Sequence, residues 1–242
     1  MPRLPVTQPV GHLAVATLGG LTFVASLAYF AVSYTGRFGE VLDPASTPLR
    51  TPVLVDAALF TAFALHHSIF ARTGVKTAIT RLLPRDLERS AYVWIASVLF
   101  IGVCAWWRPV PGVAWRLPDG WRTAAIVLQA VAGVATLVAA RQLGVLRLAG
   151  VQQVGGGDST EPPTLDDSGL YAIVRHPIYL AWVALVWAAP VMTATRLTFA
   201  AISTAYLVAA VPFEERDLRR LFGEAYARYS KRVRWRIIPW LY

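Results

Sequence analysis

The 242-residue chain has a single cysteine, Cys104, and only 15% of its residues are charged. One thiol excludes an internal disulfide and a cysteine-ligated zinc site, and it gives no sign of an oxidising compartment. Charge is scarce beside the roughly 25% of an ordinary soluble domain. No strand runs into a G-x-G-x-x-G turn, so a Rossmann cofactor domain is excluded. Gly155-Gly156-Gly157 lacks that setting and reads as a flexible loop. An internal repeat is absent, and so is a clear cleavage site. The first ten residues carry Arg3 and three prolines, and the apolar run behind them is too long for a signal-peptide core.

What is present is apolar and arranged in long blocks. Hydrophobic residues make up 56% of the chain, and mean hydropathy is +0.49. A hydrocarbon layer about 30 Å thick takes roughly 20 apolar residues to cross as a helix. The blocks predict six spans, at about 12–34, 53–70, 90–107, 121–140, 177–189 and 197–213. Pro52 suits the first turn of the second. The fifth is short, as expected of a helix whose beginning is given over to a site. The fold class is therefore an all-α polytopic membrane bundle of about six transmembrane helices, with a cytoplasmic helix after the sixth. It reads as one membrane domain in two parts, helices 1–4 in residues 1–149 and a loop, hairpin and tail in 150–242.

The formal charge of +9 raises the question of nucleic acid, but the distribution of that charge answers it. If the spans alternate, 17 of the 23 Lys and Arg residues fall on one side, at Arg3, in the 72–89 loop, at Arg141, Arg147 and Arg175, and in the tail. The other side receives Arg37, Arg50, Arg108, Arg116, Arg122 and Arg196. Basic loops stay in the cytoplasm, so both termini and the long 150–168 loop are expected there, in a bacterial inner membrane. No nucleic-acid partner is expected.

Polar residues gather at that same face in two places. One is Gly169 through Tyr179, which includes Arg175-His176-Pro177 at the start of the fifth span. The other is Glu214-Glu215-Arg216-Asp217, leaving the sixth. A hairpin brings the two side by side. Donor groups before a helix-starting proline favour an anion, and paired glutamates favour an ammonium group, so a zwitterionic ligand suits both. A plainer reading stands beside this one. Arg-His-Pro also serves as an interfacial anchor and helix start, and Glu-Glu also balances Arg216, Arg219 and Arg220. Ionisable groups beside hydrocarbon are costly, which favours a working site. His66 and His67, ending the second span, serve either as packing groups or as a base near the acceptor. Asp56 is expected to hydrogen-bond within the bundle at the opposite face.

Residues 168–179, then Glu214-Glu215, then Leu221-Phe222-Gly223-Glu224-Ala225-Tyr226 resemble the C-terminal signature of the isoprenylcysteine carboxyl methyltransferases. Those enzymes are themselves similar to phospholipid N-methyltransferases. The resemblance covers roughly Pro163 to Pro239, about a third of the chain. It implies S-adenosylmethionine as cofactor, held at the cytoplasmic face by Gln153 (or Gln152), Thr164, Leu165, Tyr171, His176, Pro177, Ile178, Tyr179 and Glu214. Pro163 stands where the family often has histidine. Prenylcysteine enzymes also carry a basic residue one turn before the paired glutamates, and here that turn reads Ala209-Ala210-Val211-Pro212-Phe213. A carboxylate acceptor would lack its partner charge. His67-Ser68-Ile69-Phe70-Ala71-Arg72 with Glu88-Arg89-Ser90-Ala91-Tyr92-Val93 resembles the bacterial branch that includes methanethiol S-methyltransferases.

The resemblance implies an enzyme that methylates a small thiol, with a small or lipid-soluble acceptor and no metal. A prenylcysteine carboxylate or a phospholipid amine is the alternative acceptor, and a non-catalytic membrane protein or transporter the alternative class. Glu214 would hold the cofactor's ammonium or ribose hydroxyls, Arg175 and His176 its carboxylate, and Tyr171 and Tyr179 its adenosine. Arg175, His176, Glu214, Glu215 and His67 are thus the expected catalytic set. Methyl transfer needs alignment above all, and no covalent nucleophile.

Overall fold

A computed structural model of the chain describes residues 10–43, 50–70, 75, 80–81, 83–84, 86–148, 151, 154 and 164–242. Gln152, Gln153, Pro163 and the glycine run lie outside the described residues. Among the described residues seven longer helices follow in order: α1 (Val10–Thr35), α2 (Arg50–Phe70), α3 (Glu88–Trp106), α4 (Asp119–Gln142), α5 (Pro177–Trp187), α6 (Ala194–Phe222) and α7 (Glu224–Arg232). Strand β1 (Val113–Arg116) precedes α4, and β2 (Val191–Thr193) precedes α6. Short helical turns stand at Arg37–Gly39, Val145–Leu148 and Gly169–Ala172.

Helices α1, α2, α3, α4 and α6 are long and apolar enough to cross a membrane. Their outward faces carry exposed Leu, Val and Ile residues, such as Leu21, Val24, Val131 and Leu137. The inward faces of α1, α2, α3 and α6, with the turns beside them, meet in an aromatic core of Phe30, Tyr34, Phe38, Phe60, Phe100, Trp107 and Phe199. Phe30 stacks on Trp182 at 4.9 Å and on Phe199 at 5.3 Å between ring centres. Offset aromatic contacts of this kind add stability beyond the area they bury.

Five of the six expected spans thus have full length. The fifth is an 11-residue helix, ~16 Å long at 1.5 Å per residue, half the hydrocarbon thickness. It ends two residues earlier than the apolar run because Pro190 keeps the preceding chain out of helical geometry. The chain continues into the short strand β2. Inside a bilayer every backbone polar group needs a partner, and the partners are present. The Tyr34 hydroxyl donates to the Val186 carbonyl, and the Leu117 amide donates to that of Pro190. β2 pairs antiparallel with β1, Val113 opposite Thr193 and Trp115 opposite Met192. That pairing was not expected from the sequence, where these segments read only as loops.

The same end is clamped by Arg196. Its guanidinium donates to the carbonyls of Tyr34, Thr35 and Val191 and lies 5.2 Å from the Tyr34 ring centre. It therefore caps the orphan carbonyls at the end of α1. Thr193 caps the start of α6 by accepting from the Arg196 amide at 3.1 Å. Arg196→Ala is expected to cost about 2–4 kcal/mol, the worth of losing several charge-assisted bonds, read as a lower unfolding temperature in detergent. An unchanged temperature would remove the clamp reading. Asp56 behaves as expected, accepting from the Arg108 amide at 2.7 Å at this same end.

The opposite end gathers the start of α1, where His12 meets Asp86 at 2.6 Å, with residues 164–176 and the tail. Gly223, at φ 51°, separates α6 from α7. A side chain is disfavoured in that left-handed region, and glycine lets the chain fold back over the end of the bundle.

Candidate functional site

The site begins with the proline. Pro177 takes the first position of α5, where its missing N–H is no loss. The residue before a proline is driven out of helical geometry, and His176 is non-helical at φ −126° and ψ 68°. Its amide and that of Arg175 are thereby free to donate to Arg236 and Trp235 of the tail, at 2.8 and 2.9 Å. The tail lies against the entry to α5 and fixes both side chains.

Beneath that strap lies a buried knot of charge. Glu215 is 3% exposed. Its carboxylate is 2.8 Å from Arg175 Nε, 3.6 Å from His176 Nε2 and 3.4 Å from Arg236 Nε. Arg175 Nη1 donates to the carbonyls of Ser230 and Val233. The guanidinium that sequence reasoning assigned to a ligand carboxylate is therefore engaged with Glu215 and the tail. Arg236 completes the knot; in the sequence it had registered only as one more tail charge.

Glu214 faces elsewhere. Adjacent helical residues sit about 100° apart, so one glutamate enters the knot and the other looks out. Its side chain is 41% exposed, with His176 Nδ1 at 3.5 Å. The Tyr179 hydroxyl donates to its other oxygen. His176 stacks on Tyr179 at 5.3 Å and bridges the two glutamates. Part of the Glu214 carboxylate stays accessible to a ligand.

Along the same face of α6, one turn apart, follow Leu218, then Leu221 and Phe222, then Ala225 of α7. The lower part of this stripe walls an open cleft of about 710 Å³, whose other side is Thr164, Leu165, Asp167, Tyr229 and Arg232. The expected cofactor residues Thr164 and Leu165 therefore stand on the cleft, and Glu214 lies on the same face of α6 about two turns before it. Arg232 pairs with Asp167 at the rim. Tyr171 lies behind, its carbonyl accepting from the Tyr229 hydroxyl at 2.9 Å. Burial pushes the Tyr229 phenol up to about 12 and the Tyr171 phenol higher still, so both stay neutral donors. Pro177, with Val174 and Leu180, lines a separate apolar groove against Leu128 and Val131 of α4. Ile178 follows in the first turn of α5, half-buried.

His67 arrives from α2. Tyr92 of α3 places its hydroxyl 2.9 Å from His67 Nδ1, and it lies within electrostatic range of Glu214. His66 instead stacks on Phe70 at 4.5 Å and on Tyr92 at 5.8 Å. Tyr92 stands within a sequence motif, but nothing in one dimension aligns it with a histidine 25 residues earlier.

The donor set suits a ligand with an ammonium group and hydroxyls. An accessible carboxylate and a phenol stand together at one end of a bundle whose helices are long and apolar enough to cross a membrane. This is the candidate site of a membrane protein. Residues 121–225 match the phospholipid methyltransferase family. A methanethiol S-methyltransferase of Bradyrhizobium diazoefficiens is 38% identical over 198 residues, 80% of this chain and 69% of that one. One from Mycobacterium tuberculosis is 35% identical over 233 residues, 92% and 94% of the two chains. Nurim of Xenopus laevis is 29% identical over 229 residues, 86% and 80% of the two chains. No solved structure matches the chain. The chain belongs to the methanethiol S-methyltransferase family, and it is a membrane methyltransferase.

Proposed function

We propose that the protein transfers the methyl group of S-adenosylmethionine to a small thiol, with methanethiol, the acceptor in its relatives' names, as substrate and dimethyl sulfide as product. The observation that carries this reading is the half-exposed Glu214 carboxylate, flanked by Tyr179 and His176, on the α6 face that leads about two turns on to the open cleft. The residues present fit the cofactor. Glu214 binds its ammonium group or ribose hydroxyls, Thr164 and Leu165 hold its adenosine side, and Tyr179 orients Glu214. Arg175 and Glu215 hold His176 and Pro177 in place. Bound, the cofactor supplies a methyl group on a positively charged sulfur.

The acceptor's chemistry follows from what stands beside Glu214. The turn before it is Ala209-Ala210-Val211-Pro212-Phe213, without a cation. A carboxylate acceptor there would be buried without a counter-charge, whereas a thiolate beside a sulfonium finds its partner in the donor itself. A small apolar thiol reaches the site through the lipid. The charge asymmetry supports a site at the cytoplasmic face of a bacterial inner membrane, with both termini inside.

Cells expressing the protein and fed methanethiol are expected to release dimethyl sulfide into the headspace, above a vector control. Detergent-purified protein is expected to bind S-adenosylhomocysteine saturably by calorimetry. Binding without dimethyl sulfide would remove the thiol, and methylated phosphatidylethanolamine in its place would redirect the reading to a lipid amine. An absence of binding would remove the cofactor assignment.

A further inference from the structure

Helices α3, α5 and α6 bring Tyr92, Tyr179 and Glu214 within electrostatic range of one another, and the described contacts fix the depth of α2 against α6. Along α2, Asp56, Phe60, Ala64 and His67 recur at helical spacing on one face, the first three buried. Phe60 meets Tyr206 of α6 at 5.4 Å, and the Tyr206 hydroxyl bonds Thr61. Both helices then run toward the site end. His67 stands seven residues beyond Phe60, and Glu214 stands eight beyond Tyr206, rises of ~10 and ~12 Å. The two groups therefore share one depth on neighbouring helices, with Ala210 supplying the small wall before Glu214.

Tyr92 of α3 sits between them and is held on three sides. Arg89 lies 5.3 Å from its ring centre, and His66 stacks nearly parallel to it at 5.8 Å, with 16° between planes. The hydroxyl touches His67 twice, at 2.9 Å from Nδ1 and 3.2 Å from the carbonyl oxygen. A hydroxyl has one hydrogen. Given to the carbonyl, it leaves the phenol oxygen to accept from Nδ1–H, and the imidazole then keeps its lone pair on Nε2. His67 is exposed while Tyr92 is buried, so the free edge of the ring opens away from the clamp.

We propose that His67 is the proton acceptor for the thiol and that Tyr92 is the positioning residue that fixes its tautomer and orientation, an inference that rests on the thiol reading above. The thiol S–H bond breaks and its proton passes to Nε2. The resulting thiolate forms the new S–CH3 bond. The old sulfonium–CH3 bond breaks with its electron pair left on the departing sulfur, and the imidazolium later returns its proton to water at the exposed edge. A free thiol with a pKa near 8.5 is only a few per cent ionised at neutral pH. General base catalysis of such a step contributes about 10²–10⁴-fold. The charged and titratable groups facing His67 are Arg89, on the Tyr92 ring, and His66; Glu214 and Glu88 lie within electrostatic range of Tyr92.

The test uses detergent-purified full-length protein carrying His67→Gln, His67→Ala or Tyr92→Phe. S-adenosylhomocysteine affinity and unfolding temperature are expected to stay close to wild type in all three. His67→Gln is expected to lose about 100-fold in kcat at pH 7. That loss should shrink as the pH rises and the thiol ionises by itself, while added imidazole should partly restore His67→Ala. Tyr92→Phe is expected to lose roughly tenfold and to shift the acidic limb of the pH profile, with KM little changed. A His67–Tyr92 pair that merely staples α2 to α3 would lower stability and cofactor affinity together and leave the pH profile in place, which overturns the proposal. Full activity in His67→Gln overturns it as well. Wild-type protein that methylates no thiol removes the underlying reading and the base with it.

Discussion

Glu214→Gln is expected to weaken S-adenosylhomocysteine binding by at least tenfold and to abolish most turnover, while the protein remains folded. The carboxylate is 41% exposed and its described partners are the Tyr179 hydroxyl and, at 3.5 Å, His176. It supports little of the bundle, so removing its charge should leave the unfolding temperature nearly unchanged. A charge-assisted hydrogen bond to an ammonium or a ribose hydroxyl contributes about 1.5–3 kcal/mol, and each 1.4 kcal/mol is roughly tenfold in affinity. Calorimetry on the purified variant reads the effect directly. Wild-type affinity in Glu214→Gln would sink the assignment of the cofactor to this carboxylate.

Glu215→Ala should fail in the opposite manner. Three basic side chains, Arg175, His176 and Arg236, converge on this buried carboxylate from the α5 entry and the tail. Removing it leaves Arg175 in a nearly closed site without a counter-charge, a loss of about 3–5 kcal/mol for one partner of a buried pair. The tail strap, carried by the amides of Arg175 and His176, should loosen with it. The expected result is a markedly lower unfolding temperature in detergent, with faster tryptic cleavage in the arginine-rich 228–236 segment. Cofactor affinity should fall only as far as folded protein is lost. Unaltered stability would show that the knot is incidental. The two neighbouring glutamates thus separate by experiment, one through binding and the other through folding.

How much of this was legible beforehand differs from feature to feature. The crossing helices follow from apolar runs of bilayer length, a one-dimensional property that no packing detail overrides. The convergence of Arg175-His176-Pro177 with Glu214-Glu215 follows from the hairpin alone, since two consecutive spans must return to the same face. The division of labour between the glutamates was latent in their adjacency, because neighbours on a helix cannot point the same way. Their assignment to exposed face and knot required the position of the tail, which brings Arg236 against Glu215 from 21 residues away.

Hydrophobic length and charge asymmetry, then, determined by themselves that the chain is a membrane bundle with its polar chemistry at one end. Both are sums over local composition. Tertiary structure alone decided that α5 stops half-way and is followed by a strand paired with β1, that Arg175 is engaged with Glu215, and that Tyr92 meets His67. These depend on rotational phase and on contacts between segments far apart in the chain, where a single residue's partner is set by the packing of whole helices.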